Sequence, residues 1–202
     1  MSGQKPRRPA QLQPEQVELI QGDADTAFSS ELAHASAQAI VPLSSEHFLD
    51  VQTIERVKML IAAEGVDALA ETWVMLPADT LPGILWRGYL LREWVRRFTQ
   101  EVQLRYAASE KYFSQQDAEK VKLVARPEKI LAAWNEVFMG DYRKDFALVL
   151  RDSARFCDFL GSVVPAWIAD EAHPLATSVT LRDTAMLRVA QEFQDAAGKI
   201  RA

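Results

Sequence analysis

A single cysteine, Cys157, stands in this chain of 202 residues, so no internal disulfide can brace it. A chain this long can bury enough surface to fold on its core alone. Its basic N-terminus, MSGQKPRRPAQLQPEQ, has the charge of a secretory leader, but no apolar stretch follows. Lone thiol and missing leader together make the cytoplasm the expected compartment. No run of 18 apolar residues occurs, so no transmembrane helix is expected. Glycine is scarce, at 8 residues, whereas leucine and alanine are abundant, which disfavours a strand-and-turn protein. Phosphate loops of the G-x-x-x-x-G-K or G-x-G-x-x-G type and the G-x-S-x-G elbow are all missing. A net charge of −5 argues against whole-protein attraction to nucleic acid or an anionic membrane and leaves only a local patch.

What is present is helical periodicity. Residues 1–25 hold Pro6, Pro9 and Pro14 among charged and amide side chains, a flexible polar tail by composition. Residues 26–202 read as one all-α domain, a bundle of about seven to nine helices with a long central helix near residues 82–110. Phe28, Leu32, Ala35 and Ala39 form a first stripe. Val51, Ile54, Val57 and Ile61 form a second, capped by Ser44 or Ser45 and stopped by Gly65. A short helix carries Leu69, Trp73 and Leu76. Thr80 and Pro82 suit the start of the long helix. Ser114–Asp117 (SQQD) reads as a capping box for a helix through Val121 and Val124. Pro127 opens a helix with Ile130, Trp134, Val137 and Phe138, which Gly140 ends. With Asp141 as cap, Tyr142, Phe146, Val149, Ser153, Phe156 and Leu160 then step in fours and threes, a packing seam. Pro165 starts a turn holding Trp167. Thr180–Asp183 (TLRD) is the expected cap of a last helix with Met186, Val189, Ala190, Phe193 and Ala197 inward.

The stretch Leu76–Tyr106 holds five arginines and two of the five tryptophans in an acidic chain. On a wheel, Ile84, Gly88, Leu91, Val95, Phe98 and Val102 share one seam, with Trp86, Leu90 and Leu104 roughly opposite. Glu93, Arg97, Glu101 and Arg105 alternate in sign every four residues, as on a solvated face. Arg92 and Arg96 remain as a small cationic patch, with Tyr89 beside them, enough for a couple of phosphates and far short of a dedicated DNA binder. Gly88, mid-helix on the seam, costs about 1 kcal/mol against alanine, which implies the close approach of a neighbouring helix backbone or, as the second choice, a pocket floor.

Candidate chemistry is thin. Glu31–His34 (ELAH) and Asp170–His173 (DEAH) approach the di-iron spacing, but His34 lies off its helix's apolar stripe and His173 precedes a proline. His47 falls in a first turn. No metal, cofactor or catalytic residue is therefore expected. Cys157 reads as a small buried hydrophobe. The expected function is binding: an adaptor or regulatory protein acting through helical surfaces, by a protein partner or by self-association as a homodimer. One alternative is a nucleic-acid-associated regulator using Arg92, Arg96 and the basic tail. The other is an enzyme or small-ligand binder with an apolar pocket near Trp86, Gly88 and Trp94.

Overall fold

The computed structural model describes residues 23–43, 51–74, 76–163 and 176–201. Every regular element among them is helical: α1 (Asp23–Ile40), α2 (Val51–Glu64), α3 (Asp67–Ala70) with a 3-10 turn (Glu71–Trp73), α4 (Leu81–Arg97), α5 (Thr99–Gln116), α6 (Ala118–Leu123), α7 (Pro127–Val137), α8 (Phe146–Gly161) and α9 (Ala176–Arg201). No helix among the described residues is long and apolar enough to cross a membrane. The tail up to residue 22, Ser44, Ser45, His47, Pro165, Trp167 and His173 lie outside the described residues, and α1 begins at Asp23, inside the segment 1–25.

The helical stretch expected near residues 82–110 is there as two helices, α4 and α5, joined at Phe98 (φ −116°, ψ 41°). Thr80 starts α4 by accepting the Gly83 N–H at 3.2 Å, with Pro82 in the first turn. Other ends differ from the sequence expectation. Ser114 lies in the last turn of α5, where its hydroxyl donates to the Glu110 carbonyl, and Asp117 caps α6 by accepting the Lys120 N–H at 3.1 Å. Asp145, not Asp141, caps α8, taking the Leu148 N–H at 2.9 Å. Thr180–Asp183 lies inside α9, which starts at Ala176. At α6 and α8 a good capping residue occurs within a few positions of another, and backbone direction selects between them.

Asp141 instead takes a left-handed conformation, φ 52°, after Gly140. The Asp141 and Tyr142 N–H groups donate to the Ala39 and Ile40 carbonyls at 3.0 and 2.7 Å, so the loop between α7 and α8 caps the C-terminal end of α1. The Asp141 carboxylate pairs with Lys58 at 3.2 Å and Arg143 at 2.7 Å. Asp141→Ala is expected to cost about 1–2 kcal/mol in urea unfolding, because alanine tolerates this conformation less well. Asp141→Asn, which keeps a short polar side chain, is expected to cost visibly less; equal losses would point to the ion pairs as the cause.

α8 and α9 form the most extensive helix pair, and α4 packs on α1, α3, α7, α5 and α9, which makes it the central helix. The α8 seam is buried at all six expected positions, from Tyr142 to Leu160, and Ile130, Trp134, Val137 and Phe138 are buried with it. On α9, Ala190, Phe193 and Ala197 are buried, while Met186 and Val189 are partly covered. The α1 stripe differs. Ala33, Ser36, Ala37 and Ile40 are buried beside Ala39, whereas Leu32 is 45% exposed. An alanine-rich helix has little contrast between faces, and here the choice is made by Trp73, whose Nε1 donates to Ser36 Oγ at 3.1 Å. α2 buries no residue fully, and Val51 is 72% exposed.

Candidate functional site

Five members of the α4–α5 seam, Ile84, Gly88, Leu91, Val95 and Val102, are buried as expected, but Phe98 is 53% exposed. The reason is the joint. The Thr99 hydroxyl lies 3.1 Å from both the Val95 and the Arg96 carbonyls, a side-chain competition that bends helices, and the seam is interrupted there. The charge ladder is interrupted too. Glu93 pairs with Arg97 at 2.8 Å, yet Glu93 is only 7% exposed and collects two more guanidinium groups. Arg92 Nη1 reaches it at 2.8 Å, and Arg96 clasps it through Nε at 3.1 Å and Nη2 at 2.6 Å. The hydrogen bonds from Arg96 hold the Glu93 carboxyl below its usual range against the opposing effect of burial, with Coulombic help from Arg96 and Arg92.

The two cations left over by sequence reasoning are thus organised by a carboxylate. Arg92 also donates Nε to Asn135 on α7 at 2.6 Å and lies 6.0 Å above the Phe138 ring, so it clamps α4 to α7. Tyr89 donates its hydroxyl to Asp67 at 3.0 Å, and partial burial followed by that bond raises its pKa. Trp86 stacks on Tyr89 with ring centroids 5.5 Å apart. Arg92 also lines a recess of about 590 Å³ with Lys58, Asn135, Phe138 and Met139.

Gly88 faces a side chain rather than the expected helix backbone. A Cβ there would lie 2.1 Å from the Trp134 indole, so hydrogen is the largest substituent that fits. Trp134 is fully buried, donates Nε1 to Ser153 Oγ at 2.9 Å, stacks on Phe138 and meets Phe146 edge-on. Gly88 and Trp134 therefore belong to the core.

Trp94 has a different setting. With Leu90, Leu91 and Phe98 it forms one wall of a cavity of about 410 Å³, closed on the far side by Met186 and Val189 of α9. Cys157 of α8 also lines it, wholly buried, its thiol pushed up to about 12 by desolvation and so protonated and unreactive at neutral pH. Arg87, Glu101 and Arg105 supply the charged lining. Of the six residues singled out from sequence, only Trp94 lines this cavity; Arg92, Arg96, Tyr89, Trp86 and Gly88 do not. The signal that could have found it is a second seam: Arg87, Leu91, Trp94, Phe98, Glu101 and Arg105 also step in fours and threes. Its three charged members disguise it as a solvated face.

Fold and cavity together define an all-α bundle with an apolar recess between its central helix and α9. No protein-family model, curated protein or solved structure matches the chain.

Proposed function

We propose that this protein binds a small, largely apolar molecule in the cavity between α4–α5 and α9. The observation that carries the reading is the cavity's volume of about 410 Å³ with an aliphatic and aromatic lining. That size and character are typical of ligand sites between helices. The reading keeps the inter-helix pocket inferred from sequence and moves it to the Trp94 face of α4. Nile red, an uncharged dye whose emission rises in apolar surroundings, tests it. Wild type is expected to give saturable blue-shifted emission. Ala185→Trp places a ring at an exposed position of the cavity lining and is expected to weaken binding at least about tenfold with helical content unchanged. Absent saturation in wild type, or equal affinity in the variant, would sink the reading.

A partner-protein role shares the same surface, since Leu90, 47% exposed, and Phe98 stand at the cavity wall. The nucleic-acid reading has less support. Arg92 and Arg96 direct donors to Glu93 and Asn135, and the Arg92 side chain is only 20% exposed, although that of Arg96 is 51% exposed.

A further inference from the structure

The charges around the cavity narrow the class of ligand. Arg87 is engaged through two of its three nitrogens: Nε donates to Glu192 at 3.0 Å, and Nη1 to the Leu76 and Gly83 carbonyls at 3.1 Å each. Arg105 gives Nε to the Leu160 carbonyl at 3.0 Å, and this is not its sole interaction. An anionic head group would therefore meet guanidinium groups whose positive charge is already shared with Glu192 and with backbone carbonyls. A cationic head group has Glu101 as the one carboxylate lining the cavity among the described residues, but Arg105 stands one turn away on the same helix and opposes it. A charge placed in an apolar recess without a counter-charge is costly, whereas a neutral hydrogen-bonding group is not once it is paired. Glu101 has no hydrogen-bond partner among the described residues, so its carboxylate is the acceptor open to a ligand donor.

From these contacts we infer that the ligand is an uncharged amphiphile, an apolar chain or ring system ending in a neutral donor such as a hydroxyl, with that donor at Glu101. The inference rests on the proposed use of the cavity. The polar end lies by α5, while the apolar body runs along Leu91, Trp94, Met186 and Val189. Leu90 and Phe98, both about half exposed, mark where it enters.

Three probes of one chain length separate the possibilities: decanol below its solubility limit, and decanoate and decylammonium below their micellar concentrations, each in displacement of Nile red. Decanol is expected to compete at least about tenfold more tightly than either charged probe. Glu101→Ala is expected to weaken decanol several-fold more than it weakens Nile red. If decanoate or decylammonium equals or exceeds decanol, or if none displaces the dye, the inference about charge is overturned while dye binding keeps the cavity reading intact. If decanol binds Glu101→Ala as well as wild type, the placement of the polar end is wrong. If the dye itself fails to bind wild type, it is the cavity reading that falls.

Discussion

Gly88→Ala is expected to destabilise the protein when Trp134 is present and to stabilise it when Trp134 is gone. In the wild-type background the new methyl lies 2.1 Å from the indole, an overlap that neither ring nor helix can absorb by a rotamer change. Overpacking of this kind costs about 1–3 kcal/mol. Trp134→Ala on its own removes a fully buried ring that touches Phe138, Phe146 and Phe193, and is expected to cost about 3–5 kcal/mol. It also leaves the Ser153 hydroxyl buried without its indole partner. In that cavity-containing background the Gly88→Ala methyl meets empty space, and the ordinary helix preference for alanine, about 1 kcal/mol, takes over. The sign of one substitution thus reverses with the other, a coupling that a double-mutant cycle in urea, followed by far-UV circular dichroism, measures directly. The same sign in both backgrounds would show that Trp134 is not what excludes the methyl group.

Glu93→Ala is the second large effect. It leaves Arg92, Arg96 and Arg97 converging on nothing, next to a hydrogen bond with Asn135 that holds α4 to α7. Breaking a buried pair costs about 3–5 kcal/mol, but about 2–3 kcal/mol is the better expectation here, because Arg96 and Arg97 keep half or more of their side chains in water. Glu93→Gln preserves shape and isolates the charge. The pH dependence has a fixed sign. Glu93 titrates below its ordinary value of 4.5 in the folded protein, so its contribution is complete above that value and lost as pH falls through the lower folded-state value. The difference in stability between wild type and Glu93→Gln is expected to shrink across that acidic window. A gap that stays constant from neutral pH into the acid range would assign the effect to packing.

The sequence made the all-α architecture legible because its strongest periodicities belong to helices buried on one face. The seam of α8 and the Trp134 face of α7 could be read residue by residue for that reason. α1 could not, since alanine on several faces leaves the choice to its neighbours. Glu93 was legible as one partner of an i, i+4 pair, but its burial was not. That depends on α7 bringing Asn135 and Phe138 against Arg92, a long-range contact with no local signature. The cavity was hidden for a related reason. Its wall is a regular seam whose arginines and glutamate resemble a solvated ladder, and only the position of α9 shows which face the seam lines. The break at Phe98 had a local clue in Thr99, whose hydroxyl competes for helix carbonyls, but a threonine at that spacing is equally compatible with an unbroken helix.

The loop that caps α1 also orders events in time. The Ala39 and Ile40 carbonyls accept from N–H groups about a hundred residues downstream, so this cap on α1 closes only after α7 is in place. Local helices form in about a microsecond, and contacts across such separations are what slow a helical chain. These two bonds are therefore expected to form late, and protection of the Asp141 and Tyr142 amides to report completion of the bundle rather than its nucleation.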